Sequence, residues 1–265
     1  MALKSATFMT PNLHHRRLWS LDELSRSDVL ALLAAAEGLK RAADSGDAKR
    51  LLRGKNLALL CEAQAEDRCD AFNQAATDLG AQVARIRPSE LKLTQRATVQ
   101  ETARVLGKLY DAIECEGMAQ ELLEEVERDA GVPVYNGLCS DAHPTHVLAD
   151  LLTMQQRSAK PLAKLAICYV GDPRTPDGDA LLQAAALLGM DLRVVAPNAQ
   201  APLPARLQRA KRLAHGSGAR LSFLKSRAAA SADADFVLDG PAPDDAERER
   251  NQQFVLQALL ISTIS

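Results

Sequence analysis

Residues 54–62 read Gly-Lys-Asn-Leu-Ala-Leu-Leu-Cys-Glu. The apolar run at 56–61 is bounded by glycine and polar residues and predicts a buried β-strand. A helical pattern follows near residues 67–79, and a second strand pattern spans residues 82–86. A strand, a helix and a strand in this order predict two parallel strands joined by a crossover helix.

The same alternation continues along the chain. Further strands are predicted at 111–115, 132–135, 164–170, 191–196 and 236–238. Further helices are predicted at 25–40, 98–109, 119–129, 142–156, 179–188 and 203–215, with a last helix from about 247. The polar stretch at 158–161 ends in proline and predicts a boundary. The sequence therefore predicts an α/β fold of two lobes, each a parallel sheet flanked by helices.

The composition excludes several classes of protein. The 265 residues carry 32 basic and 34 acidic side chains, a net charge of -2, and only 3% are aromatic, so no nucleic-acid partner is expected. No apolar run reaches the roughly 18 residues that a membrane span needs. The five cysteines have irregular spacing, which favours reduced thiols over a disulfide framework. We therefore expect a cytoplasmic protein that does not contact a membrane.

Several blocks of sequence occur in an order and at a spacing typical of one protein family: 54–62, 102–106, 111–113, 132–138, 143–153, 170–172 and 185–193. Together they resemble the carbamoyltransferases, most closely ornithine carbamoyltransferase, over nearly the whole chain. The resemblance implies a carbamoyl phosphate domain at 1–157, an amino-acid domain at 158–246, and a C-terminal helix at 247–265 that packs back on the first domain. It also implies a homotrimer, or a hetero-oligomer with an active paralogue, and no cofactor.

The residues that would bind phosphate depart from the family pattern. Such an enzyme holds a phosphate dianion with helix N-terminal amides and arginines. The family carries Ser-Thr-Arg-Thr-Arg after the first strand, whereas residues 65–69 read Ala-Glu-Asp-Arg-Cys, so Asp67 replaces an arginine and Arg68 is shifted by one place. Glu116 stands where a later arginine is expected. A like charge about 4 Å from phosphate costs about 4 kcal/mol at an effective dielectric constant near 20.

The remaining family positions are partly kept. His143 is retained, but His146 replaces the glutamine of the family's His-Pro-x-Gln pattern. Thr175-Pro176 stands where the family has an Asn-Asn pair that helps to hold the amino acid. The resemblance thus predicts a vestigial or repurposed ligand pocket, without any residue assigned as catalytic, that comprises Asp67, Arg68, Glu116, Asn136, His143, His146 and Asp172.

The second lobe is expected to be truncated. The family's Asp-x-x-x-Ser-Met-Gly segment and its His-Cys-Leu-Pro motif have no counterpart, because residues 236–240 are followed directly by 244–250 and the last helix. Several dozen residues are therefore missing by comparison with the family, including the cysteine that touches the amino-acid substrate.

Three functional hypotheses remain open on the sequence. The first is a pseudoenzyme with a structural or regulatory role. The second is an active enzyme with altered substrates that retains amino-acid binding, in which His143 orients a carbonyl group and Arg68 or a metal replaces the lost arginines. The third is conventional ornithine carbamoyltransferase activity, which the replaced residues oppose.

The candidate pocket residues also have other interpretations. Asp67, Glu116, His143 and His146 could form a metal cluster, since carboxylates and imidazoles bind divalent cations, but random replacement of unused residues explains them equally. His143 could also simply be a structural residue at the start of a helix.

Overall fold

Strands and α-helices alternate in the computed structural model, which describes residues 11, 13, 21–62, 69–91, 96–138, 143, 145–196, 201–240 and 246–264. The strands are β1 (Asn56–Leu60), β2 (Gln82–Ile86), β3 (Ala112–Cys115), β4 (Val134–Asn136), β5 (Ala166–Val170), β6 (Asp191–Val195), β7 (Arg220–Phe223) and β8 (Phe236–Asp239). The α-helices are α1 (Arg26–Asp44), α2 (Asp70–Asp78), α3 (Arg96–Leu109), α4 (Gln120–Ala130), α5 (Thr145–Arg157), α6 (Pro176–Leu188), α7 (Pro204–Ser217), α8 (Arg227–Ser231) and α9 (Ala246–Ile264).

The chain divides into two compact units, and the first holds the described residues within 1–19, 28–141 and 253–265. Its four parallel strands lie in the order β2-β1-β3-β4. The central strands β1 and β3 are almost entirely buried, as expected when helices cover both faces of a sheet, although β3 also buries the charged residue Glu114. Helix α4 buries Leu123, Val126 and Ala130 at helical spacing and is capped by Gly131, whose φ of 70° suits a glycine cap.

The second unit holds the described residues within 20–27 and 142–252. Its four parallel strands lie in the order β7-β6-β5-β8. The α/β class and the two parallel sheets predicted from the sequence are confirmed. The contacts place the boundary between the units at 141/142, before α5, so that α5 belongs to the second unit. The predicted boundary at 157/158 lies after α5. The domain limits at 157/158 and 246/247 therefore stay a prediction.

Within the second unit, polar side chains join α5 to the first turns of α9. Asn251 Nδ2 donates to Thr153 Oγ1 at 2.9 Å. Arg248 Nε donates to an Asp150 carboxylate oxygen at 2.5 Å, and both side chains of this pair are largely buried. Buried polar groups of this kind cost free energy unless they are hydrogen-bonded, so these contacts fix which face of α9 meets α5.

In the first unit, a buried tyrosine joins β4 to the last turn of α9. The Tyr135 hydroxyl lies 2.5 Å from Thr263 Oγ1, and Tyr135 is 1% exposed. Thr263 Oγ1 donates to the Leu259 carbonyl at 2.9 Å, so the tyrosine hydroxyl is the donor in the first contact. Burial raises the pKa of Tyr135 well above the usual value of 10.0, although the hydrogen bond to Thr263 opposes this shift.

The raised pKa of Tyr135 predicts a loss of stability at alkaline pH. Above pH 10 the unfolded chain releases this proton while the folded chain keeps it, so the free energy of unfolding falls as pH rises towards the folded pKa. We expect Tyr135→Phe to remove about 1.4 kcal/mol per pH unit of that fall. Urea unfolding of both proteins between pH 9 and 11.5 measures the difference. Parallel curves for wild type and variant would show that Tyr135 does not cause the alkaline loss.

None of the described helices combines the length and the apolar character that crossing a membrane requires.

Candidate functional site

Each sheet has one place where the strand order reverses, and open parallel sheets usually bind ligands there, beyond the carboxyl ends of the strands. In the first sheet the reversal lies between β1 and β3, and in the second between β5 and β8. The residues that follow these four strands are therefore the first candidates for a functional site.

The reversal point of the first sheet carries two acidic residues. Glu116 follows β3, and its backbone N–H donates to the Leu60 carbonyl at the end of β1, at 2.9 Å. Its side chain is only 7% exposed. Glu62 follows β1, and its carboxylate accepts hydrogen bonds from the Ser89 backbone N–H at 2.8 Å and the Ser89 hydroxyl at 3.1 Å. This edge of the sheet therefore holds negative charge where a phosphate site needs positive charge.

The two outer strands add little positive charge to this edge. Asn136 ends β4, is half-buried and lies beside Cys115 in the sheet. Arg87 follows β2, and its guanidinium lies 3.6 Å from the Glu90 carboxylate, with both side chains more than half exposed. Arg87 is the one basic residue among the described residues that directly follow a strand of this sheet. Its charge is already paired with Glu90.

The described cysteines form no disulfide bond. Cys61, Cys69, Cys115 and Cys168 are all buried. Cys139 lies outside the described residues, and the reduced state stays a prediction. Burial raises the pKa of the Cys115 thiol, and the neighbouring Glu114 raises it further. A buried protonated thiol is a poor nucleophile, so Cys115 functions as a packing residue.

In the second unit, His143 lies just before α5 and is 6% exposed. Its Nδ1 accepts a hydrogen bond from the Thr145 backbone N–H at 3.2 Å and lies 3.2 Å from Thr145 Oγ1. A backbone N–H can only donate, so Nδ1 carries no proton. The imidazole is therefore neutral with its proton on Nε2, which makes His143 a hydrogen-bond donor through that nitrogen.

His146 lies in the first turn of α5. Its backbone N–H donates to the His143 carbonyl at 3.0 Å, and its side chain is half-buried. The two histidines predicted to belong to one pocket are therefore neighbours at the start of one helix.

Asp172 lies at the reversal point of the second sheet, where it forms an ion pair with Arg174. The Arg174 backbone N–H donates to the carboxylate at 2.9 Å, and the guanidinium donates to both oxygens at 3.0 to 3.3 Å. These hydrogen bonds hold the pKa of Asp172 below its usual value. Asp239, at the end of β8, accepts a hydrogen bond from Arg227 at 2.7 Å. Each acidic group at this reversal point thus has its own arginine.

The next two residues start helix α6 instead of facing a ligand. Thr175 is the N-cap residue, and its hydroxyl oxygen accepts a hydrogen bond from the Gly178 backbone N–H at 3.2 Å. Pro176 is the first helical residue and has no N–H to donate to a ligand. Thr175 and Pro176, which by resemblance stand in place of an Asn-Asn pair, therefore stabilise the start of α6.

We expect Thr175→Ala to lower the free energy of unfolding by about 1 kcal/mol, because the Gly178 N–H loses its acceptor. Thermal unfolding followed by circular dichroism measures the effect. Thr77→Ala, at an exposed position on α2, is the matched control and should cost nothing, since alanine is the better helix former. Equal losses in both variants would rule out a capping role for Thr175.

The predicted pocket residues are described only in part. Glu116 directly follows β3 and Asn136 ends the neighbouring strand β4, both in the first unit, whereas His143, His146 and Asp172 lie in the second unit. Asp67 and Arg68 lie outside the described residues. No group of three or more histidine, cysteine, aspartate or glutamate side chains within the described part of the chain is arranged to hold a metal ion. The four-residue metal cluster includes Asp67 and stays a prediction.

Two residues in the surroundings of His143 were not predicted from the sequence. Thr145 contacts the imidazole directly, and Gln252 on α9 donates from Nε2 to Thr145 Oγ1 at 2.8 Å. The sequence offered one signal, the run of amides at 251–253 before the apolar part of the last helix. That signal does not reveal which amide faces α5.

A pocket of about 380 Å³ lies at the opposite, amino-terminal edge of the first sheet. It is lined by residues 107–111, residues 131–133 and the last turn of α9. Asp111 in this pocket is already engaged, because its carboxylate accepts hydrogen bonds from the Asn56 N–H at 2.8 Å and from Lys55 Nζ at 3.2 Å. The pocket therefore offers no free acidic group, and it contains none of the predicted site residues.

Comparison with known proteins identifies the family of this chain. Residues 16–156 match the family model "Aspartate/ornithine carbamoyltransferase, carbamoyl-P binding domain". The chain is 42% identical over 230 residues to a catabolic ornithine carbamoyltransferase from Pseudomonas putida, covering 86% of this chain and 68% of that protein. It is 40% identical to the ornithine carbamoyltransferase of Haemophilus influenzae, covering 86% and 69%.

Solved structures show the same architecture. Ornithine carbamoyltransferase from Pyrococcus furiosus superimposes with a TM-score of 0.80 at 23% identity, covering 96% of this chain and 98% of that one. The enzyme from Gloeobacter violaceus gives 0.74 at 27% identity, covering 95% and 99%. The matches in sequence and fold together show that this chain belongs to the aspartate/ornithine carbamoyltransferase family.

Proposed function

We propose that this chain is a non-catalytic member of its family, with a structural or regulatory role in place of carbamoyl transfer. One observation carries the proposal: a buried glutamate, Glu116, occupies the reversal point of the first sheet, where by resemblance the family has a phosphate-binding arginine.

Charge at this position opposes a phosphate ligand strongly. Water screens a carboxylate poorly when its side chain is 7% exposed. A like charge about 4 Å away costs about 4 kcal/mol at an effective dielectric constant near 20, and each 1.4 kcal/mol is a tenfold loss of affinity. The lost arginine attraction adds to this cost, as does Asp67 in the preceding motif.

The second substrate loses contacts as well. Thr175 and Pro176 replace the family's Asn-Asn pair, and both residues serve the start of α6. Arg174, the neighbouring cation, is paired with Asp172. Both the expected carbamoyl phosphate site and the expected amino-acid site thus depart from the family pattern. This favours loss of the whole reaction over a change of one substrate.

The first test measures binding and turnover together. Isothermal titration of the full chain with carbamoyl phosphate should give no heat of binding, and incubation with carbamoyl phosphate and ornithine should give no citrulline. The Pseudomonas putida relative, assayed in parallel, is the positive control. Micromolar binding or citrulline formation by this chain would contradict the proposal.

A second candidate function is an active enzyme with altered substrates that retains amino-acid binding. The tautomer of His143 favours it, because an imidazole that donates from Nε2 can polarise a carbonyl oxygen. This candidate predicts thermal stabilisation of the chain by an amino acid at millimolar concentration. A screen of the twenty amino acids and ornithine that leaves the melting temperature unchanged would remove it.

We further propose a cytoplasmic protein that forms a homotrimer or a hetero-oligomer with an active paralogue. Light scattering of the purified chain measures its mass directly. Co-expression with a tagged ornithine carbamoyltransferase from the same cell would show whether the two chains purify together. A monomer that does not purify with the paralogue would leave the structural role without support.

A further inference from the structure

The environment of His143 is set by a residue more than a hundred positions away in the chain. Thr145 lies between them: its Oγ1 is 3.2 Å from His143 Nδ1, and it accepts a hydrogen bond from Gln252 Nε2 at 2.8 Å. His143, Thr145 and Gln252 are 6%, 1% and 7% exposed. Bulk water therefore competes little for these hydrogen bonds.

The direction of each hydrogen bond follows from the donors available. The Thr145 backbone N–H donates to His143 Nδ1, so that nitrogen is an acceptor. Gln252 Nε2 donates to Thr145 Oγ1, which leaves the threonine hydroxyl proton free to donate to Nδ1 as well. Two donors then meet Nδ1, and both favour the neutral imidazole with its proton on Nε2.

We propose that Gln252 is a positioning residue for His143: acting through the Thr145 hydroxyl, it strengthens the preference for a proton on Nε2 that the Thr145 backbone N–H already sets. The beginning of α9 thereby contributes to what His143 can offer to any molecule that approaches it. This inference concerns the state of one side chain and holds whether or not the protein catalyses a reaction.

A substitution can remove the hydrogen bond of Gln252 to Thr145 while keeping the volume of the side chain. Its Nε2 bond to Thr145 is the one hydrogen bond of its amide within the part of the chain that the structure describes, since Oε1 has no partner there. Gln252→Met, which has similar volume and good helix propensity, therefore removes a single hydrogen bond. Gln253→Met is the matched control, because the Gln253 amide donates to Asp78 at 2.6 Å and does not contact Thr145.

Long-range proton–nitrogen NMR of the full chain labelled with nitrogen-15 reports which ring nitrogen carries the proton, and His143→Gln assigns the signals. In wild type we expect one dominant species protonated on Nε2. Gln252→Met should lower the ratio of the Nε2-protonated to the Nδ1-protonated form about five-fold, the equilibrium equivalent of one hydrogen bond. Gln253→Met should leave the ratio unchanged.

A double-mutant cycle tests whether the effect passes through Thr145. Thr145→Val removes the hydroxyl and should lower the ratio as Gln252→Met does, whereas Thr145→Ser keeps the hydroxyl and should preserve it. The double variant Thr145→Val with Gln252→Met should fall no further than either single variant, because both remove the same path. An unchanged ratio in Gln252→Met, multiplicative losses in the double variant, or an Nδ1-protonated wild type would each overturn the proposal.

Discussion

Glu116→Arg is expected to raise the affinity of this chain for carbamoyl phosphate by about a hundredfold, from below detection into the measurable range. Removing a buried like charge relieves up to about 4 kcal/mol, and a guanidinium adds charge-assisted hydrogen bonds to phosphate. The gain should be smaller than the full sum because Asp67 remains in the preceding motif. Isothermal titration with carbamoyl phosphate and with inorganic phosphate measures the change.

Two further variants make this result interpretable. Glu116→Gln keeps the shape of the side chain and removes only the charge, so it should give a gain of about tenfold or more, smaller than that of Glu116→Arg because it adds no attraction. It also tests whether the fold survives substitution here. Glu101→Arg makes the same charge change at an exposed position on α3 and should give no gain. If all three variants behave like wild type, Glu116 does not face the phosphate position, and the observation that carries the proposed function is lost.

Gly107→Ala is expected to lower the free energy of unfolding by about 3 kcal/mol or more. Gly107 lies in α3 where this helix crosses the end of α4, and an added Cβ would stand 1.7 Å from the Ala130 carbonyl oxygen. Overpacking in a core usually costs about 1–3 kcal/mol, and here the obstacle is backbone that cannot rotate away. Urea unfolding followed by circular dichroism measures the loss.

The same substitution at a second helical glycine gives the control. Gly216 in α7 has ordinary backbone angles, and a Cβ added there meets nothing within 4 Å. Gly216→Ala should therefore raise stability by about 0.5 kcal/mol, because alanine restricts the unfolded chain more than glycine does. A small loss at Gly107 would mean that α3 and α4 can separate without cost.

The sequence predicted every strand of the first sheet and missed one edge strand of the second. Residues 82–86 form a strand with the bounds that the sequence predicted, and β1 differs from its prediction by one residue. Strand β7 was missed because its four residues are exposed or half-exposed and include Arg220 and Ser222, so it lacks the apolar run that marks a buried strand. Helix α8 was missed because five residues are too few to show a helical period.

The candidate site was predictable only as a set of sequence positions. The replacement of an arginine by Glu116 is what the resemblance implies, whereas the burial of Glu116 depends on how β1 and β3 pair. The protonation of His143 depends on Thr145 and Gln252, which are 107 positions apart in the chain. No local pattern encodes a contact at that separation, so the tautomer could be inferred only from the fold.

Helix α9 has a consequence for how the protein is made. Residues 253–264 belong to the first unit, yet they are synthesised only after the whole second unit. The hydrogen bond of the Tyr135 hydroxyl cannot form until Thr263, 128 positions later in the chain, has been synthesised. At about 5–20 residues per second, the ribosome needs on the order of 10 s to translate that interval. During this time the apolar surface that α9 will cover stays open, so we expect the nascent first unit to bind general chaperones until α9 has been synthesised.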